Sequence, residues 1–170
     1  MRNVFVDGYN VINSWPELKK IKNYNLDSAR QALIESLQNY AAFKGYKVFV
    51  VFDAHLVPGS IEKKERISEN VMVVFTKEGA TADSFIEKAV NNVGRKIEVC
   101  VVTSDSLEQQ LAFQRGAIRM SSLEFYHEVK DAEQRIRVNT RKKYSEKRHA
   151  LEDRIEREVL EKLEEIRRSR

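Results

Sequence analysis

Read for hydrophobic and polar positions alone, the chain alternates short apolar runs with longer stretches of helical period. Residues 3–6 form a run that ends in Asp7-Gly8, Lys47–Phe52 ends in Asp53, and residues 97–102 end in Thr103-Ser104-Asp105. Residues 70–75 make a further run, and 117–120 a weaker fifth. These runs are nearly continuous in β-branched and aromatic residues, which predicts strands buried on both faces, as in a parallel sheet. Between them lie helical patterns. Asp27 is the expected N-cap of a helix with Ala29, Ala32, Leu33, Leu37, Tyr40 and Ala41 inward and Gly45 as its stop. Thr81 caps a second, with Ile86, Ala89, Val90 and Val93 inward and Gly94 at its end. Asp105-Ser106-Leu107-Glu108 has the capping-box pattern and leads into Leu107, Leu111 and Ala112. Strand–helix–strand alternation makes the fold α/β, with right-handed crossovers. Residues 54–69 are polar, contain Pro58-Gly59, and read as a loop with room for a short helix.

Beyond residue 130 the pattern changes. Leu151, Ile155, Val159, Leu163 and Ile166 recur at helical spacing as one apolar stripe. Asp153–Arg157, Glu158–Lys162 and Glu164–Arg168 are acid-first pairs four residues apart, which favour helix by about 0.3 kcal/mol each. The stripe is expected to pack on the body of the protein rather than to form a homodimeric coil, and a monomer is favoured. The division is therefore a body of residues 1–130 and a charged helical tail of 131–170.

Charge sharpens that division. The 170 residues carry 30 Lys+Arg and 26 Asp+Glu, a net +4. Residues 1–130 are nearly neutral, whereas Arg135, Arg137, Arg141, Lys142, Lys143, Lys147 and Arg148 face Glu146 alone within 134–149. Such a stretch suits a polyanion; the plainer alternative is a solvated helix face. One cysteine, Cys100, excludes an internal disulfide and reads as core. No apolar run approaches the roughly 18 residues of a membrane helix, so no membrane is expected. The start does not read as a signal peptide, because Asp7 interrupts its apolar run. The expected location is the cytoplasm.

Open α/β sheets bind ligands at the carboxyl ends of their strands, and there the chain gathers acids. Asp7 closes the first strand, Asp53 the second, and Asp105 follows the fourth run. Asp83 lies in the first turn of the helix after Thr81, and Glu87 is four residues on, on the same face. Carboxylates gathered in a partly dry site repel, and a divalent cation relieves that repulsion. Mg²⁺ or Mn²⁺ fits, since these ions take oxygen ligands and keep several waters. Each acid also has a plainer role: Asp53 as a turn or cap, Asp105 as a helix cap, Asp83 at a helix N-terminus, Glu87 on a solvated face. Asp7 is hardest to dismiss, since a charge closing a central strand is costly. Other chemistries find no support. There is no P-loop or dinucleotide fingerprint, no zinc spacing among Cys100, His55, His127 and His149, and Tyr9 stands where an Asp-x-Asp phosphotransferase needs its second acid. Trp15 reads as packing or a lip of the site, and His55 as a weak candidate for substrate contact. Tyr126, Tyr144 and His149 are candidates for base stacking, although an aromatic in a helix more often serves packing.

The motifs Asp7-Gly8-Tyr9-Asn10-Val11-Ile12, Val50-Val51-Phe52-Asp53-Ala54, Ala80-Thr81-Ala82-Asp83-Ser84-Phe85-Ile86 and Val102-Thr103-Ser104-Asp105, in this order, resemble the NYN domain of the PIN-like nuclease superfamily. The basic tail makes the bacterial YacP-like group the best match. The resemblance implies a PIN-like three-layer α/β/α sandwich around a mostly parallel sheet, with metal-dependent hydrolysis of RNA. It carries the catalytic and metal-holding roles to Asp7, Asp83 and Asp105. Asn10, Asp53, Ser104 and Glu87 become supporting positions, with a structural role left open for Asp53. One metal or two is also left open, since Glu78 and Glu87 are the only further acids near Asp83. The group is associated with the ribosome and with cleavage of translated mRNA, so mRNA and the ribosome are the implied partners. The rival from another class is a catalytically silent RNA- or ribosome-binding adaptor.

Overall fold

The computed structural model describes residues 1–54, 58–94 and 96–169, without the side chains of Leu107, Glu108, Leu111 and Ala112. His55, and the inward positions expected of Leu107, Leu111 and Ala112, lie outside the described residues. Six strands form one sheet: β1 (Arg2–Asp7), β2 (Lys47–Phe52), β3 (Lys63–Arg66), β4 (Val71–Phe75), β5 (Glu98–Val102) and β6 (Ile118–Met120). Their order is β3-β4-β2-β1-β5-β6, and every pairing is parallel except β3 with β4. The five expected runs are all strands. β3 replaces the loop or short helix expected in 54–69. Its Lys-Lys-Glu-Arg sequence offers no apolar pattern, and such charges suit an exposed edge strand because they discourage pairing with another sheet.

The helices are α1 (Gly8–Ser14), α2 (Pro16–Tyr24), α3 (Leu26–Lys44), α4 (Ala82–Asn92), α5 (Ser106–Gln114) and α6 (Ser122–Arg168). Two buried layers sandwich the sheet. On one face Val4, Val6, Val50, Phe52 and Val102 pack with Val11 and Ile12 of α1, Leu18 of α2, Leu33 and Leu37 of α3, and Phe125 and Val129 of α6. On the other, Phe5, Val51, Val74 and Val101 pack with Ala82, Ile86 and Val90 of α4. This is the expected three-layer α/β/α arrangement. Near-complete burial of the central strands is what their unbroken apolar sequence requires.

Local signals explain the helix ends, with one correction. Asn25, not Asp27, caps α3: its Oδ1 accepts from Ser28 N at 2.9 Å, while Asp27 lies in the first turn and pairs with Arg30. Gly45 ends α3 at φ 68°, in the left-handed region that glycine enters without cost. Thr81 caps α4 as expected, accepting from Ser84 N at 3.1 Å. Pro16 at the first position of α2 needs no N–H there.

The chain divides into two compact units, Met1–Ala132 and Glu133–Arg170. In the second unit the stripe expected to be packed is open: Leu151, Ile155, Val159, Leu163 and Ile166 are 50–58% exposed. Among the described residues, no helix is long and apolar enough to cross a membrane.

Candidate active site

β1 and α1 meet at Asp7, and their junction decides where its carboxylate goes. Asp7 is the last residue of β1 and the N-cap of α1, with Oδ1 accepting the N–H of Asn10 at 3.2 Å. Gly8 follows because nothing larger fits: a Cβ there would stand 2.4 Å from the ring of the fully buried Phe52. Asp7 is thus pressed against the sheet and largely withdrawn from water. Burial pushes its carboxyl from the ordinary 3.8 up to about 6, against the pull of the Asn10 N–H. The charges of Asp83, Asp53 and Asp105 add to the rise. Asp83, Asp53 and Asp105 are therefore close enough to act on Asp7.

Each of the other three is fixed by its own element. Asp53 follows β2, and its Oδ2 accepts the N–H of Ala82, the first residue of α4, at 3.4 Å. It therefore reaches the start of α4, where Asp83 occupies the first turn and is exposed. Asp105 follows β5; its N–H donates to Oγ1 of the buried Thr103 at 3.1 Å, and the carboxylate side is open to solvent. On the other side of β2, Ala54 N donates to the buried Thr76 Oγ1 at 2.8 Å, which holds the chain beside Asp53. Glu87 lies one turn beyond Asp83, with Oε1 3.9 Å from Arg115 Nη2.

Asn10 and Ser104 belong to a hydrogen-bonded group at the same edge. Asn10 Oδ1 accepts from Ser104 N at 2.9 Å and from the hydroxyl of Ser122. Ser122, fully buried at the start of α6, donates its own N–H to Ser104 Oγ at 3.3 Å. Sequence reasoning missed Ser122. Its signal was the Ser121-Ser122-Leu123-Glu124 pattern, a capping box in which Ser121 N donates to Glu124 Oε2 at 2.7 Å and Glu124 N to Ser121 Oγ at 3.1 Å.

Among the described residues, no group of three or more His, Cys, Asp or Glu side chains stands ready to hold an ion by itself. The donor set still fits Mg²⁺ or Mn²⁺, because Mg²⁺ is held by one or two carboxylates together with waters and substrate phosphate rather than by an all-protein cage. The mutual repulsion at Asp7 is the imbalance that such an ion relieves. Cys100 has no part in this chemistry: it is buried in β5, where burial pushes its thiol up to about 11. Trp15 is packing, with Nε1 donating to Ser122 O at 2.8 Å. Tyr126 is packing as well, edge-on to Trp15 and donating to Glu17 Oε1 at 2.9 Å. In the second unit, Arg135, Arg137, Arg141, Lys142, Lys143, Lys147 and Arg148 are all exposed on α6, and Arg148 reaches Glu152 at 2.9 Å.

The molecule is thus a three-layer α/β/α domain with acids gathered at the carboxyl edge of its parallel strands, and its class follows from its relatives. The chain belongs to the YacP-like NYN domain family, whose model matches residues 4–168. It is 45% identical to YacP of Bacillus subtilis (strain 168) over 168 residues, covering 97% of this chain and 96% of that protein. It also resembles the crystal structure of Rae1 (YacP) from Bacillus subtilis, at 41% identity and a TM-score of 0.75 over 99% of this chain and 95% of that one. A point mutant of the same protein matches at 39% identity and a TM-score of 0.70, over 82% and 81% of the two chains.

Proposed function

We propose that this chain is a metal-dependent endoribonuclease that hydrolyses RNA phosphodiester bonds, acting in the cytoplasm on translated mRNA at the ribosome. The observation that carries the proposal is Asp7, a strand-end carboxylate withdrawn from water and surrounded by the charges of Asp83, Asp53 and Asp105. A fold tolerates such a cost at a site that needs it.

Asp7, Asp83 and Asp105 are the residues that would hold Mg²⁺ or Mn²⁺, by carboxylate oxygens and bound waters. Bound there, the ion supplies a more acidic water and neutralises charge developing on the phosphate. The protein's own part is placement. Asp53 ties the start of α4 to the end of β2, so that Asp83 stays beside Asp7. Asn10 ties the Ser104-Asp105 loop to α1. Water attacks phosphorus, the P–O3′ bond breaks, and the products are a 5′-phosphate and a 3′-hydroxyl. The exposed cations of α6 would bind the RNA backbone without regard to sequence.

The test is cleavage of RNA by the purified protein with Mg²⁺, Mn²⁺ or chelator, with and without ribosomes. Metal-dependent cleavage that Asp7→Asn abolishes supports the assignment. A variant as active as the wild type overturns it. The second reading, a silent RNA-binding adaptor, draws on the lack of a ready-made ion cage among the described residues. It expects no stabilisation by Mn²⁺ that Asp7→Asn removes.

A further inference from the structure

Asn10 has an amide whose two ends look alike in shape but not in chemistry, and its neighbours decide which end faces where. Ser104 N lies 2.9 Å from Oδ1. A backbone N–H only donates, so the atom facing it is the amide oxygen. That oxygen has two lone pairs; Ser104 N–H takes one and the Ser122 hydroxyl the other. With both occupied, the Nδ2 group is turned away from Ser104 and Ser122. Asn10 also stands in the first turn of α1, with its backbone N–H on Asp7 Oδ1 and its side-chain oxygen on the N–H of Ser104, the residue before Asp105.

Ser122 is well placed to hold this orientation. It is fully buried, so its hydroxyl has no water to bond and costs free energy unless paired inside. All its polar atoms are used: the hydroxyl on Asn10, the N–H on Ser104 Oγ, and the carbonyl as acceptor for Trp15 Nε1 at 2.8 Å. Trp15 is itself anchored against Phe125 and Tyr126. α6 thus begins in a socket where the Ser122 hydroxyl joins side chain to side chain with Asn10. Packing alone would be served by alanine at this place.

We propose that Ser122 is a positioning residue for the reaction. Together with the Ser104 N–H it locks the Asn10 amide so that Nδ2 donates to a non-bridging oxygen of the scissile phosphate. The inference rests on the nuclease reading above, and it adds a residue of α6 to the site.

The experiment is a double-mutant cycle on steady-state RNA cleavage, with Ser122→Ala, Asn10→Ala and the two combined. Ser122→Ala is expected to lower kcat about tenfold while KM stays within about twofold. In the Asn10→Ala background it should lower kcat no further. Additive losses, or an unchanged kcat, overturn the proposal, and additivity would mark Ser122 as structural only. A second measurement needs no cleavage. Amide hydrogen exchange at Ser104 should quicken in both single variants, by about tenfold in Asn10→Ala. An unchanged exchange rate rules the lock out. Wild-type protein that leaves RNA intact overturns the nuclease reading and, with it, the catalytic half of the proposal; the exchange result then decides the lock by itself.

Discussion

The carboxyl edge of the sheet and the tail helix are both rich in charge, yet the same side chains behave differently in the two places. In the tail, acids and bases alternate on an exposed helix, and pairs such as Arg148 with Glu152 stay in water. Exposed pairs of this kind are worth about 0.5 kcal/mol or less. At the edge, four acids from four separate segments share one side, and burial raises Asp7 to about 6. The tail therefore has charge to offer a partner, whereas the edge holds a buried carboxylate among like charges, a cost that a proton or a bound cation would relieve. Net charge, which averages the two, describes neither.

The largest expected effect tests the edge directly. Asp7→Asn should reduce RNA cleavage by about 10²–10³-fold or more, the range for removing one preorganised electrostatic group from a reacting centre. RNA binding by the same variant, read by filter retention, should stay within about twofold, since phosphate contacts by the tail cations are untouched. A variant that loses binding along with cleavage would erase the distinction between the two regions.

The same substitution should make the protein more stable. The folded state holds the Asp7 proton up to about pH 6, and the unfolded chain only to about 3.8. Between those values the folded state binds more protons, so stability falls as pH rises, and the loss is complete above pH 6. The shift corresponds to about 3 kcal/mol at neutral pH without metal. Asparagine removes the charge and keeps the cap, because its amide oxygen still accepts from Asn10 N. Urea melts in chelator should therefore show Asp7→Asn more stable at pH 8 and level with the wild type at pH 3.5. A variant less stable at pH 8 would mean that Asp7 is a structural cap and no more.

Packing separates the two regions next. Gly8→Ala drives a Cβ into Phe52, whose buried ring has nowhere to go, and should cost about 1–3 kcal/mol. Leu163→Ala in the open stripe should change stability by less than about 0.5 kcal/mol. Equal losses in thermal melts would show that the stripe is covered in solution.

Much of this was legible in the residues. Strands buried on both faces cannot alternate, so β1, β2, β4 and β5 announce themselves as apolar runs, and the acids at or after the ends of β1, β2 and β5 mark the carboxyl edge. What escaped depended on contacts distant in sequence. β3 is held by β4 rather than by its own propensity. α1 and α2 are too short and polar for a periodic signal, and are fixed by Trp15 reaching Ser122, 107 residues away. Ser122 itself carried no sequence signal beyond the capping-box pattern around it. Only the fold brings its hydroxyl to Asn10. The tail failed differently: its stripe was correctly read as helical, but periodicity says nothing about what covers it.

The remaining effect concerns the tail, and it gives the comparison its complement. Reversing Arg141, Lys142 and Lys143 to glutamate should weaken RNA binding at moderate salt by about tenfold or more, because it removes three exposed phosphate partners and adds repulsion. The slope of log affinity against log salt should become shallower by about 2, the value for three lost contacts to single-stranded RNA. Single-turnover cleavage at saturating protein should remain at the wild-type rate, because Asp7, Asp83 and Asp105 belong to the other unit. An unchanged salt slope would reduce the basic stretch to a solvated helix face. A lost saturating rate would instead place the tail in the catalytic step, and the two regions would have to be read as one site.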